Sequence, residues 1–552
     1  MKVLLFFKKN LIGSVLLLLT IIFSSWLMFS TFSYSNGEIQ IASKAWSDFG
    51  SHLPLIRSFS FGWNFPPQYA IFPGEASRYH FLFYAFVGFL EKIGLRLDYA
   101  LNIPSTIGFF SFLTMIYIFA KSLFKSRAIG LLSVTFLIFN GSFSFLYFLQ
   151  KTPIDYTFIN QLVTNVTFPS FHPYGEGLVS AFWNLNIYTN QRHLAAAFAF
   201  SLLVLYIFLR PILKNGKNNG LTFSIILGLL LGFSFYFHLA AFGMTCGAIF
   251  ILSLLFQKIR LPGVLILVIA GILAYPQYVY MSSSPQNFHT ILNPGYLTPK
   301  PLTLFSFANY WTLNLGLHII LIPIGFILAS KKVKKIFAAF FAFFIIGNLF
   351  QFSPEMAVNH KFFNYFMIFG NILSAYMIVL VWKKNNSLKP VAVILVFCLI
   401  FSGIIDLFPI LNDGKVTLSD YPKNPDILWI IKNTPPEVVF LNSSYFTTPE
   451  SLGGRKILFG WPYFSWGAGY DTTERDNDRK NMLGSNDKTD FCKIANKYNV
   501  RYSSLKKNQT TDDTNYPINH PFFENNFPLV YSNPNSQIMI YSLNSCYTKN
   551  EQ

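Results

Sequence analysis

Residues 1–32 read MKVLLFFKKNLIGSVLLLLTIIFSSWLMFSTF: three lysines, Lys2, Lys8 and Lys9, precede an apolar run from 11 to 32 that carries no charge. A helical run of this length rises about 33 Å, enough to cross a hydrocarbon core of about 30 Å. Cations ahead of the run fix its start on the cytoplasmic side. A cleaved signal peptide is the rival reading, but the run exceeds an ordinary h-region and lacks a small-x-small cleavage site.

Further apolar runs of spanning or near-spanning length lie near 101–120, 128–149, 193–213, 221–238, 239–256, 262–281, 308–329, 336–352, 362–382 and 390–410. Joined in order they predict about 11 transmembrane helices. The connections at 121–127, 210–219, 257–261, 330–335 and 383–389 then share a side with the N-terminus, and all are basic. With the three N-terminal lysines they hold 18 basic residues and no Asp or Glu, the positive-inside pattern. The whole chain has 42 basic and 24 acidic residues, so 42 less 18 leaves 24 of each elsewhere. The formal charge of +18 is therefore a topology signal, and no nucleic-acid partner is expected. A soluble globule is excluded as well, since 12% charged residues is half the usual share. Parity decides two places: the apolar stretch 80–90 is read as an interfacial or re-entrant helix, and 221–256 as two back-to-back spans.

The expected organisation is a transmembrane part, residues 1–410, and an extracytoplasmic segment, residues 411–552. That segment holds 15 acidic and 15 basic residues and no run of spanning length. Helix-like stretches (426–433 and 490–499) alternate with strand-like ones such as EVVFLN and QIMIYSL, predicting a small α/β domain. Cys492 and Cys546 both fall in it and are candidates to pair outside the cytoplasm. Cys246 and Cys398 fall in spans.

Polar chemistry concentrates in three outside connections. The long first loop, 33–100, contains KAWSDFGSHLPLIRSFSFGWNFPPQYAIFPGEASRYHFLF. Asp48 and His52 are four apart and share a helical face if a helix forms there, although Gly50 and Pro54 disfavour one. Glu75, Arg78 and His80 follow a Pro-Gly turn. The second connection, FHPYGEGLVSAFWNLNIYTNQRH, supplies His172 and Glu176, again four apart, then Asn190, Arg192 and His193. The third, QFSPEMAVNHKFF, supplies His360 and Lys361, the lysine at an outer end against the inside bias. The plain alternatives are an N-cap for Asp48 and a snorkelling anchor for Arg192. Together these groups suit transfer from a lipid-linked phosphate donor. A carboxylate takes the acceptor's proton, and cations or a divalent metal neutralise the departing phosphate.

The layout resembles the C-type (GT-C fold) glycosyltransferase superfamily, which includes protein O-mannosyltransferases, aminoarabinose transferases and oligosaccharyltransferase catalytic subunits. What resembles it is an inside N-terminus, a long first outside loop with an early acid (WSDFGSH), many spans and an outside C-terminal domain. The segments PPQYAIFPGEASRYHFLFYAFVGFLEKIGL and GRKILFGWPYFSWGAGYDTTERD are also similar to members of this group. The resemblance implies an inverting, integral-membrane enzyme of the cell envelope that uses a polyprenyl-phosphate or polyprenyl-diphosphate sugar. It implies a protein, lipid or glycan acceptor outside the cytoplasm. It places the catalytic role on Asp48, with His52 or Glu75 positioning the acceptor. Arg78, His80, Arg192, His193 and Lys361 are candidates for the donor phosphate, and His172, Glu176, Asn190 and His360 for acceptor or accessory roles. No Asp-x-Asp pair surrounds Asp48, so Mg or Mn there is an option and not a requirement; the WWD-type motif of oligosaccharyltransferases is missing. The alternatives are a transporter or flippase of a lipid-linked or anionic substrate, and a polysaccharide polymerase or ligase. A flippase predicts polar residues lining several spans.

Overall fold

The computed structural model describes residues 11–169, 182–214, 220–283 and 288–547. Each expected apolar run overlaps a helix. Among the described residues five helices are long and apolar enough to span: Gly13–Thr31, Leu97–Phe124, Gln257–Met281, His360–Lys384 and Asn386–Leu411. These identify an integral membrane protein. Four apolar helices are shorter: Arg127–Ile138, Arg192–Phe208, Leu221–Phe237 and Leu239–Leu255. The run 221–256 does divide, at His238, whose extended backbone (φ −165°) ends one helix and caps the next.

Two runs differ from expectation. The stretch 128–149 yields a helix only to Ile138, with a separate short helix Phe145–Lys151. The stretch 308–329 forms two helices, Leu304–Leu315 and His318–Leu328, bent by 87°. Hydropathy sees a continuous run there, but Gly316 adopts φ +55°, ψ −137°, a conformation open almost solely to glycine. A Cβ at Gly316 would lie 2.1 Å from the Gly141 carbonyl oxygen, so close packing also demands glycine.

By its internal contacts the chain forms two compact units: Met1–Thr31, Ile103–Pro276 and Thr290–Gly414 make the first; Phe32–Asn102, Gln277–His289 and Lys415–Gln552 make the second. The division expected at residue 410 is thus met by a different partition, in which the first loop belongs with the C-terminal segment.

The first unit is built around His360–Lys384, the most deeply buried of the five long helices. The phenylalanines explain why. Phe residues recur at three- and four-residue spacing on Lys331–Leu349 and His360–Lys384, and their rings interdigitate: Phe340 on Phe369 at 3.6 Å, Phe344 on Phe366 at 4.9 Å. Where helix and lipid are equally apolar, such ring contacts supply much of the specificity, at about 0.5–1.5 kcal/mol per pair.

In the second unit the hairpin Phe32–Ser35 and Glu38–Ala42 gains a third antiparallel strand, Lys415–Ser419, in the register Ile39 to Leu418. Buried Arg57 reinforces it, with Asp420 Oδ2 at 2.7 Å and Glu91 Oε1 at 3.4 Å. A five-stranded mixed sheet follows, in the order Leu529–Asn533, Ile538–Ser542, Val500–Lys506, Val439–Asn442, Lys456–Ile457. Helices Thr472–Leu483 and Lys488–Tyr498 supply Met482, Leu483, Phe491 and Ala495 to its core. Cys492 is bonded to Cys546; Cys246 and Cys398 are free thiols.

Candidate functional site

In the second unit, Trp46–Ser60 is helical despite Gly50 and Pro54, and Asp48 lies in its first turn, where the helix dipole favours a carboxylate. Packing overrides propensity here: every residue from Phe49 to Ser60 except Phe59 is buried. A Cβ at Gly50 would come 2.5 Å from the Phe446 ring. The glycine that argued against a helix therefore permits its burial.

This helix sets Asp48, Ser51 and His52 on one face. His52 is buried, its Nε2 lies 3.2 Å from the Tyr79 hydroxyl, and its ring stacks on Tyr84 at 4.6 Å. Tyr69 stacks on Tyr79 at 5.8 Å. Burial pushes the phenols of Tyr69, Tyr79 and Tyr84 up, and the neighbouring Asp48 carboxylate adds to the shift in each. The phenols stay protonated, and the carboxylate that acts on them electrostatically is half-buried. Phenols and an imidazole match Mg or Mn poorly, because those ions take carboxylate and water oxygens.

Glu75 and Arg78 are engaged differently. Glu75 meets Arg78 at 3.4 Å and Arg475 at 3.8 Å. Burial raises the Glu75 carboxyl, and the two guanidiniums pull the other way. The Arg78 guanidinium donates to the Gly469 carbonyl and lies 4.5 Å over the Tyr470 ring, while its backbone N–H donates to the Tyr470 hydroxyl at 2.8 Å. Both residues thus tie the first loop to the segment around Tyr470. His80 is half-buried with its ring 3.9 Å from Tyr79.

In the first unit Arg192 is fully buried. It donates to the carbonyls of Thr189 (2.7 Å) and Met28 (3.2 Å), the Thr31 hydroxyl (2.9 Å) and the Met28 sulfur (3.2 Å). These contacts make Arg192 a bracket that joins the start of Arg192–Phe208 to the end of the first helix. Asn190 ends the short helix Asn186–Asn190, with its Oδ1 accepting from Thr189 at 3.3 Å.

His193, beside Arg192, is buried with its ring 5.1 Å from His238. His238 caps Leu239–Leu255, its Nδ1 accepting from the Ala241 N–H at 3.3 Å. His360 and Lys361 open His360–Lys384; both are buried, His360 stacks on Phe182 at 4.8 Å, and Lys361 interacts electrostatically with His238 and His360. Lys361 thus sits in the first turn of its own helix and acts electrostatically on His238, the cap of Leu239–Leu255. Each terminus carries partial positive charge, so the place favours an anion. His172 and Glu176 lie outside the described residues.

Sequence reading did not assign Tyr69, Tyr79, Tyr84 or His238 to the site. The signal for His238 was its position as the one histidine in a run, 221–256, that holds no Asp, Glu, Lys or Arg. Tyr79 stands in the sequence with Glu75, Arg78 and His80 after the Pro-Gly turn; Tyr69 and Tyr84 gave no signal, because nothing local separates a phenol beside a carboxylate from one in a core.

No protein-family model matches the sequence, and no curated protein matches it. Solved structures do. The archaeal oligosaccharyltransferase AglB of Archaeoglobus fulgidus, in complex with an inhibitory peptide and a dolichol-phosphate, superposes with a TM-score of 0.49 at 12% identity, covering 90% of this chain and 69% of that one. The Archaeoglobus fulgidus oligosaccharyltransferase tethered to an acceptor peptide containing the NVT sequon gives 0.47 at 11%, covering 91% and 69%.

Proposed function

We propose that this chain is an integral-membrane glycosyltransferase that moves a sugar from a polyprenyl-phosphate carrier to an extracytoplasmic acceptor. In this reading the N-terminus is cytoplasmic, the chain crosses the membrane 11 times, and Phe32–Asn102 and the C-terminal α/β segment lie outside.

The observation that carries the reading is Asp48: a half-buried carboxylate on the first turn of a packed helix, among phenols held neutral. Asp48 takes the proton as the acceptor's oxygen attacks the anomeric carbon. The bond from that carbon to the phosphate oxygen breaks, and the phosphate leaves with the electron pair. A phosphate is a good leaving group that needs charge neutralisation more than protonation; Lys361 stays a candidate for binding the donor phosphate. A single displacement inverts the anomeric centre. His52 and its phenol partners position the acceptor. Arg192, Glu75 and Arg78 are assigned to structure.

The test is turnover of a radiolabelled polyprenyl-phosphate sugar in proteoliposomes by the Asp48→Asn variant. Loss of transfer with donor binding retained supports the reading; unchanged transfer overturns the role of Asp48. Carrier movement across the bilayer without product would favour a flippase.

A further inference from the structure

The sharp break between Leu304–Leu315 and His318–Leu328 opens a polar cavity inside the helical unit that glycosyl transfer, as proposed above, does not use. Its polar lining is Asn140, Ser142, Asn314, His318, Asn364 and Asn371. Asn364 and Asn371 lie seven apart on one face of His360–Lys384, the helix most shielded from lipid. Polar side chains at such depth are costly and mark water-filled or ligand-bearing places.

Part of the lining is satisfied internally. His318 Nδ1 meets the Ser374 hydroxyl at 2.7 Å, and Asn140 receives the Ser142 N–H at 2.9 Å and donates to Asp406 at 3.3 Å. Asn364 Nδ2 donates to the Phe182 carbonyl at 3.2 Å. Three other atoms have no partner among the described residues: His318 Nε2, Asn364 Oδ1 and Asn371 Oδ1. Their residues are 1%, 3% and 3% exposed, so bulk water does not serve them. Native structures leave only a few such atoms per hundred residues unmet, and here three meet at one cavity. Gly141 keeps the imidazole nitrogen open, since a Cβ there would lie 2.5 Å from His318 Nε2.

Space and charge limit the occupant. The volume open to the centre of a water molecule is about 10 Å³, about one molecule's worth. No Asp, Glu, Lys or Arg lines the cavity, so an ion would lie there without a counter-charge. Two amide oxygens ask for hydrogen-bond donors, and the imidazole nitrogen accepts or donates according to tautomer. Two bonds donated to the amide oxygens and one shared with the imidazole are the complement of one water molecule, whereas a lone hydroxyl carries only one proton to donate. We infer that this cavity is a binding site for a single ordered water molecule.

Radiolytic hydroxyl-radical labelling of the full chain in nanodiscs tests this, because bound water generates radicals locally where bulk water is excluded. Trp183 and Met367 line the cavity; Trp311 and Met244 are similarly buried but do not. We expect Trp183 and Met367 to oxidise several-fold faster than Trp311 and Met244. The excess should be lost in Gly141→Ala, or in Asn371→Leu should the first variant fold poorly, with labelling of exposed Trp461 unchanged. An excess insensitive to added glycerol supports the water site, and one suppressed by glycerol overturns it. No excess, or an excess that changes when sodium chloride is replaced by choline chloride, overturns the inference.

Discussion

An acid among neutral phenols and a base among positive helix ends are the two polar centres of this protein, one in each unit. Asp48 is half-buried, and burial holds the nearby phenols of Tyr69, Tyr79 and Tyr84 neutral. Lys361 is buried in the first turn of its helix, where the dipole opposes a cation. The contrast teaches that one centre is built to change protonation and the other to hold charge.

Mutation should separate the two. Asp48→Asn is expected to lower kcat by about 100- to 10,000-fold, the usual range for a lost general base, with the donor KM little changed. A parallel rise in KM would erase the distinction. Lys361→Met should lower kcat/KM for the donor by about 10- to 100-fold, the worth of a charge-assisted hydrogen bond, and Lys361→Arg should recover part of it. Arg192→Gln sharpens the comparison from the structural side. It should lower the thermal midpoint, with about 1–3 kcal/mol lost for each acceptor left bare, while turnover per folded molecule stays near wild type.

Glu450 offers a pH test confined to the second unit. Burial pushes its carboxyl up to about 7. The folded state therefore binds this proton more tightly than the unfolded chain does. Its contribution is present below the ordinary carboxylate range and is lost as pH rises through about 7. The thermal midpoint of the wild type should fall between pH 6 and 8, and Glu450→Gln should flatten that fall; parallel curves would refute the assignment. The smallest effect expected is from EDTA, which should leave turnover unaltered, since the groups shown around Asp48 suit hydrogen bonding better than Mg or Mn.

The membrane character, the helix pair at 221–256 and the shared face of Asp48 and His52 were legible in the sequence, because each depends on local composition and spacing. The break at Gly316 was not, since hydropathy is blind to a single φ. Nor was the duty of Arg192: a lone cation at the start of a span reads as an anchor, and only a distant Met28 and Thr31 reveal the bracket. The engagement of Glu75 and Arg78 with Tyr470 and Arg475 was hidden for the same reason, a separation of almost four hundred positions.

The three-stranded sheet carries that separation into the order of synthesis. Ala42 leaves the ribosome 373 positions before its partner Lys415. At about 5–20 residues per second the hairpin waits roughly 20–75 seconds with one edge open. Over that interval an unpaired edge is a target for wrong pairing. The second unit is therefore completed only when the last long helix is in place, and a chain stopped near residue 411 is expected to present its first loop to quality control as unfinished.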